Sequence, residues 1–300
     1  MTPAEELARR AFVWACALDV HARKPGNVST ASPGHGMEAG LFLASSEAAA
    51  PALCTPGIRV GARIEGAMRA SWEAAGCNTN LGIVLLAAPL VAAAARWRPA
   101  SGLAALRRTL ANVLATLDVE DARAAYRAIA LANPGGLGRA ARQDVAEPPT
   151  VDLRAAMALA AARDTIAAQY AHGFPAVFEP GLATFAESLA RARHAGRAPE
   201  AAAREAMLRA FLEFLAAIPD SHIVRKHGVA LAHSVMAEAA PWCERARRGE
   251  ALEDDPALAG WDESLKRRGL NPGTSADLSV ATAFVAALSE PALATGFPCG

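Results

Sequence analysis

The chain has 300 residues, of which 53% are hydrophobic, 20% charged and 5% aromatic. With 30 basic and 30 acidic side chains it has no bulk charge to recruit nucleic acid or an acidic membrane. Five scattered cysteines, Cys16, Cys54, Cys77, Cys243 and Cys299, form no CxxC, which argues against a disulfide framework or zinc ribbon and suits a reducing cytosol.

Thr2-Pro3-Ala4-Glu5 reads as a helix start, with Thr as cap, Pro in the first turn and Glu at the third position. The N-terminus lacks the basic-then-apolar order of a signal peptide, so a cytoplasmic location is expected. The first helix runs to about Ala22. A shaped loop follows, holding Lys24-Pro25-Gly26-Asn27 and then Gly34-His35-Gly36-Met37-Glu38. Its Lys24, Asn27, His35 and Glu38 are polar groups that can together hold a phosphate and a metal. Two more helices are predicted at 38–51 and 57–75.

From Leu81 to Ala95 every residue is apolar or Gly or Pro, so a helix here has no solvated face and belongs inside the protein. At about 15 residues it is short of the roughly 20 needed to span a bilayer. Asn78, Thr79 and Asn80 stand at its start, as caps and as a natural place for an anion beside free backbone N–H groups. Helices at 103–116 and 118–133 lead to Asn133-Pro134-Gly135-Gly136-Leu137-Gly138, where Gly135 and Gly136 free the backbone to approach a ligand or simply to turn. Asp144 follows within reach of the same place.

A single helix is predicted over 151–171, carrying Asp164, with a loop at 174–180 and further helices at 182–194 and 199–218. Asp220-Ser221-His222-Ile223-Val224-Arg225-Lys226-His227-Gly228 is the densest polar cluster, with Asp220 as a helix cap. Arg225, Lys226 and His227 crowd into one turn, an arrangement that favours a bound anion. A helix at 256–268 and the loop Asn271-Pro272-Gly273-Thr274-Ser275-Ala276-Asp277-Leu278 precede a last apolar helix. No run alternates with period two, so the fold expected is all-α, one multi-helix domain over 1–290 around a central apolar helix, with a loose tail at 291–300.

Taken in order, KPGNVS with GHGM, GCNTNLG, NPGGLG, and DSHIVRKHG with LNPGTSADL resemble the triphosphoribosyl-dephospho-coenzyme A synthase family over nearly the whole chain. The resemblance rests most on Lys24-Pro25-Gly26, on Gly76 with Asn78, Thr79 and Gly82, on Asp220, and on Pro272-Gly273 with Ser275-Ala276-Asp277-Leu278. It implies an all-helical enzyme that displaces adenine from ATP with the hydroxyl of dephospho-coenzyme A, in prosthetic-group biosynthesis. The family's His-Lys is replaced here by Asn80-Leu81, its acidic residue by Gly36, and its glutamates after the glycine loop by Arg139 and Ala141. The chain therefore resembles a divergent branch, often carried with genes for tetrahydromethanopterin-type cofactors.

The resemblance implies ATP as substrate with Mg²⁺. Lys24, Asn27, Asn78, Thr79, Asn80, Gly135, Gly136, Arg225, Lys226, Asn271 and Thr274 are assigned to substrate and phosphate. Asp144 and Asp220, with Glu38 behind, are assigned to the metal. Asp164, His35 and His227 compete for proton transfer. Lys24, Asn78, Lys226 and Asp277 are expected to converge. Partners are small-molecule nucleotides and cofactor precursors, without nucleic acid or membrane, and self-association as a homodimer is left open. Two other readings stand beside it: a kinase- or ligase-like enzyme of pterin-cofactor assembly, and a non-catalytic helical nucleotide-binding protein.

Overall fold

The computed structural model describes residues 2–140 and 142–295. Among them are fourteen α-helices and no strand beyond two isolated bridges in the 29–37 loop. The all-α expectation is met, in one domain. The first helix, α1 (Pro3–His21), starts on the predicted capping box, in which Thr2 accepts from Glu5 N and Glu5 answers to Thr2 N.

At the centre is α4 (Leu81–Ala94), every residue of which is buried except Gly82. It contacts α1, α2 (Ala39–Leu53), α3 (Val60–Ala75), α5 (Gly102–Ala115) and α14 (Gly273–Ser289). Removing its Leu, Ile and Val side chains from water contributes about 1.5–3 kcal/mol each, which fixes a helix that has no polar face to orient it. Among the described residues no single helix is long and apolar enough to cross a membrane. Asn80 occupies the position before α4 but caps nothing; the cap bond comes from Asn78, whose Oδ1 accepts from Leu81 N at 3.1 Å.

Helix α6 (Val119–Ala132) is pinned at its start. Asp121 Oδ1 accepts from Gly61 N on α3 at 2.8 Å, while its Oδ2 accepts from Asp118 N at 3.1 Å. A methyl group on Gly61 would lie 2.5 Å from Asp121 Cα, so the two helices touch backbone to backbone. Helix α6 ends on Asn133 in the left-handed region, and the glycine loop follows.

The sequence reading fails in three places, one of them the 19-residue helix over 229–247, which it did not predict. The helix expected over 151–171 is two, α7 (Leu153–Ala160) and α8 (Thr165–His172), because Asp152 and Asp164 each cap a separate start. The loop expected at 174–180 is mostly helical: Phe174 takes a φ of 60°, then a widened turn at Val177–Gly181 runs into α9 (Leu182–His194). Pro180 has no N–H to donate, so the ladder loses a rung there and the turn opens rather than stops.

The C-terminal part builds a second apolar cluster from α10 (Pro199–Ala217), α11 (Ser221–His227), α12 (Val229–Arg247) and α13 (Pro256–Arg267). Pro291–Thr295 forms one short turn with Leu293 buried, so the tail is tethered that far. The remainder of the expected tail, with Cys299, lies outside the described residues.

Candidate active site

Seven segments meet at the N-terminal end of α4 and enclose a cavity of about 530 Å³. They are α1, the 24–38 loop, the 76–80 turn, the 133–145 loop, the break between α7 and α8, α11, and the start of α14. Charge is sorted inside it. Asp19 and Asp277 lie at the floor with no cavity-lining cation against them among the described residues, while Arg225 and Lys226 stand at the rim with Asp164 beside Arg225.

The floor holds Asp19 from α1 and Asp277 from α14. Asp277 abuts Gly82 so closely that a methyl group there would collide with the carboxyl. It makes no hydrogen bond or ion pair with any described residue and faces the cavity, keeping some exposed surface although protein surrounds it. Burial, then the nearby Asp19 and Asp220 charges, push its carboxyl well above the usual carboxylate range. Asp19 is 6% exposed, and burial outweighs the pull of Lys24 to raise it as well.

Lys24 is the principal correction to the sequence reading. It is fully buried beneath the floor, with Nζ 3.1 Å from Asp19 Oδ1 and donating to the Asp19 and Ala22 carbonyls. It does not line the cavity, so it cannot hold a phosphate there. The geometry instead makes it the counter-charge that keeps Asp19 in place.

Asp220, expected at a metal, is likewise used up. Its Oδ1 accepts from His222 N and Ile223 N at the start of α11, and its Oδ2 accepts from the backbone N and Oγ of Ser275 on α14. It clips the two helices together behind the wall. Glu38 is exposed and outside the cavity. His227 is also outside, with its Nε2 3.2 Å from Gly269 O.

The rim carries Arg225 and Lys226. Arg225 donates from Nε to Gly135 O at 3.0 Å, and its Nη1 stands 3.8 Å from Asp164 Oδ2. Lys226 has no hydrogen-bond or ion-pair partner among the described residues, and burial followed by repulsion from Arg225 lowers its pKa. The glycine loop lies directly on this turn: Gly136 has a φ of 77°, and a methyl group on it would sit 2.5 Å from Arg225 O. Only glycine permits that approach. Tyr126 OH donates to Gln143 O at 2.8 Å and ties the far end of the loop back to α6.

Between floor and rim stand neutral groups. Asn27 Nδ2 donates to Asn271 Oδ1 at 2.9 Å, Thr79 Oγ1 donates to Ser45 Oγ at 2.7 Å, and Thr274 Oγ1 accepts from His222 N at 3.2 Å. Asn80 is 4% exposed with neither amide atom hydrogen-bonded. His35 Nε2 lies 2.8 Å from Gly26 O. His222 has a buried, unpartnered Nε2, and its pKa is pushed down to about 3 by burial and then by Lys226 and Arg225, so it is neutral at physiological pH.

The sequence profile of the ATP:dephospho-CoA triphosphoribosyl transferase family (CitG) matches residues 5–295. The chain belongs to this family. As a triphosphoribosyl transferase it moves the triphosphoribosyl group of ATP to dephospho-CoA, in prosthetic-group biosynthesis. Its fold matches the crystal structure of a candidate triphosphoribosyl-dephospho-CoA synthase from Archaeoglobus fulgidus with a TM-score of 0.59 at 21% identity, covering 83% of this chain and 98% of that one. No curated protein sequence matches it significantly.

For this transferase, most of the residues assigned from sequence come together. Asn27, His35, Asn78, Thr79, Asn80, Gly135, Gly136, Asp144, Asp164, Arg225, Lys226, Asn271 and Thr274 line one cavity; Lys24, Glu38, Asp220 and His227 do not. Asn78, Lys226 and Asp277 converge as expected, without Lys24. Sequence reasoning missed Asp19 and His222, and gave Asp277 no chemical role. The signals were thin: Asp19 interrupts the apolar run Leu18-Asp19-Val20, and Asp277 stands inside the family signature.

Proposed function

We propose that triphosphoribosyl transfer takes place in this cavity, with the triphosphate at the rim and the acceptor attacking from the mouth. The segregation of charge carries the reading. ATP is anionic at one end and a neutral heterocycle at the other, and a pocket with Arg225 and Lys226 at one end and Asp19 and Asp277 at the other sets its direction. Arg225 offers a planar fork, Lys226 a mobile point charge, and the Gly135–Gly136 backbone a surface on which no side chain intrudes.

No group of three or more His, Cys, Asp or Glu able to hold a metal occurs among the described residues. That fits Mg²⁺ arriving on the nucleotide, since this ion keeps its waters and needs few protein carboxylates. Asp144 is the candidate to meet it: it lines the cavity and each oxygen accepts one backbone bond, from Ala146 N and Ala140 N. Bound there, the ion offsets the phosphate charge.

The acceptor hydroxyl must lose a proton as it attacks the ribose. His35 is suited to take it. With Nε2–H donated to Gly26 O, the other ring nitrogen, Nδ1, is left as a proton acceptor. Asp164 is less suited, because its Oδ1 caps α8 through Ala167 N and its Oδ2 faces Arg225. Leu137 and Leu159, 46% and 41% exposed, flank the mouth and suit an acceptor with a long, partly apolar arm such as dephospho-CoA.

The test is the product. Purified protein with ATP, Mg²⁺ and dephospho-CoA should release free adenine in step with loss of the acceptor. ADP or AMP in its place would show phosphoryl or adenylyl chemistry and overturn the reading.

A further inference from the structure

We infer that Asp277 is the acid that protonates the departing base, giving its carboxyl proton to N7 of adenine as the C1′–N9 bond breaks. This rests on the transfer reading above. A leaving purine is a poor anion, and a proton delivered to its ring as the bond opens is the standard remedy.

Four observations place that role on Asp277. It faces the cavity and is held by no hydrogen bond or ion pair from the described residues, so its proton is free to go to a ligand. The other carboxyls nearby are committed: Asp19 to Lys24, Asp220 to α11 and Ser275, and Asp164 to the α8 cap and Arg225. The end of the cavity that Asp277 occupies is hostile to phosphate, since Asp19 shares it, so the triphosphate is driven to the rim and the base is left at the floor. Finally, Asn80 lies two residues before Gly82, which Asp277 abuts, and both of its buried amide atoms are unpartnered. Phosphate can satisfy only the amide donor. A heterocycle edge that alternates donor and acceptor, such as N6–H beside a ring nitrogen, satisfies both ends.

Burial and three neighbouring carboxyls favour the protonated form. Asp19 on α1, Asp164 before α8 and Asp220 before α11 disfavour a further negative charge, and Arg225 opposes them. A carboxyl whose proton is favoured by such surroundings is suited to act as an acid. His222 cannot compete, because at neutral pH it has no extra proton to give. Once Asp277 has donated, the new carboxylate faces the N-terminus of α4, where the helix dipole favours it.

The step balances. The Asp277 proton goes to N7, the C1′–N9 electron pair stays on the purine, and adenine leaves neutral. The acceptor oxygen bonds to C1′ and its proton passes to His35 Nδ1. Exchange with solvent then restores both groups.

Asp277→Asn keeps size and removes the acid, and 7-deaza-ATP replaces N7 with a C–H. The expected result is that the variant binds ATP by calorimetry within about threefold of wild type while adenine release falls by about 10²–10⁴. Wild type should bind 7-deaza-ATP comparably yet release its base at least about 100-fold more slowly, and Asp277→Asn should slow that release little further. Unimpaired release by Asp277→Asn, or full-rate turnover of 7-deaza-ATP, overturns the assignment while leaving the transfer reading intact. ADP or AMP from wild type overturns both. If the variant fails to fold, the 7-deaza-ATP comparison on wild type decides alone.

Discussion

Replacing Lys24 with Met keeps the stem and removes the ammonium from a site where the Lys24 and Asp19 side chains are 0% and 9% exposed. The loss leaves a buried carboxylate without its counter-charge. Asp19 escapes by taking up a proton, and that escape sets the ceiling on the damage. At about 1.36 kcal/mol per pH unit from an ordinary value of about 3.9, protonation costs about 4 kcal/mol at pH 7 and about 1.5 kcal/mol at pH 5. The carbonyls of Asp19 and Ala22 also lose a donor, worth about 1 kcal/mol. In the variant the folded state holds the Asp19 proton more tightly than the unfolded chain does. Its stability therefore falls as pH rises above the unfolded carboxylate value. Urea unfolding should show a deficit of about 2–4 kcal/mol at pH 7 that shrinks by about half at pH 5. The KM for ATP, measured on folded protein, should stay within about threefold of wild type. A tenfold rise in KM with stability intact would mean that Lys24 reaches the triphosphate, and the internal role assigned to it would be wrong.

Lys226→Ala removes an unpartnered cation from the rim, so steady-state kinetics should show the KM for ATP rising about tenfold to a hundredfold, the worth of one charged hydrogen bond, with no loss of unfolding stability. His222→Gln probes a different property. Because the folded-state pKa of His222 is pushed down to about 3, the unfolded chain binds the extra proton first, so wild type loses stability as pH falls below about 6.5. Unfolding free energies taken between pH 6 and pH 4 should fall with a slope about 1.4 kcal/mol per pH unit steeper in wild type than in the variant, and equal slopes would contradict a neutral buried imidazole.

The fold was legible wherever periodicity or capping chemistry was local. The apolar stretch 81–95 could only be a buried helix, and Thr2 and Asp220 announced their caps. The break between α7 and α8 was missed because apolar spacing continues through 161–164 and only the Asp164 cap marks it. The site was legible at the glycine- and asparagine-bearing corners, which need backbone freedom and exposed amides. It was illegible for Lys24 and Asp19, since a sequence cannot show whether a lysine faces a ligand or a carboxylate five residues earlier. Asp277 offered only its place in the family signature, since its chemical meaning comes from Gly82 and Asp19, which are brought beside it only by packing.

The clasp at Gly61 and Asp121 reaches further than its own neighbourhood. From Asp121 to Asn133 the α6 rod runs about 18 Å, and the wall bearing Gly135 and Gly136 is mounted on its far end. Where that wall stands against Arg225 is therefore decided by a junction that no nucleotide touches. A methyl group slipped into the junction would act as a shim, tilting the rod and opening the rim, so that affinity for ATP weakens through leverage with every ligand-facing atom unchanged.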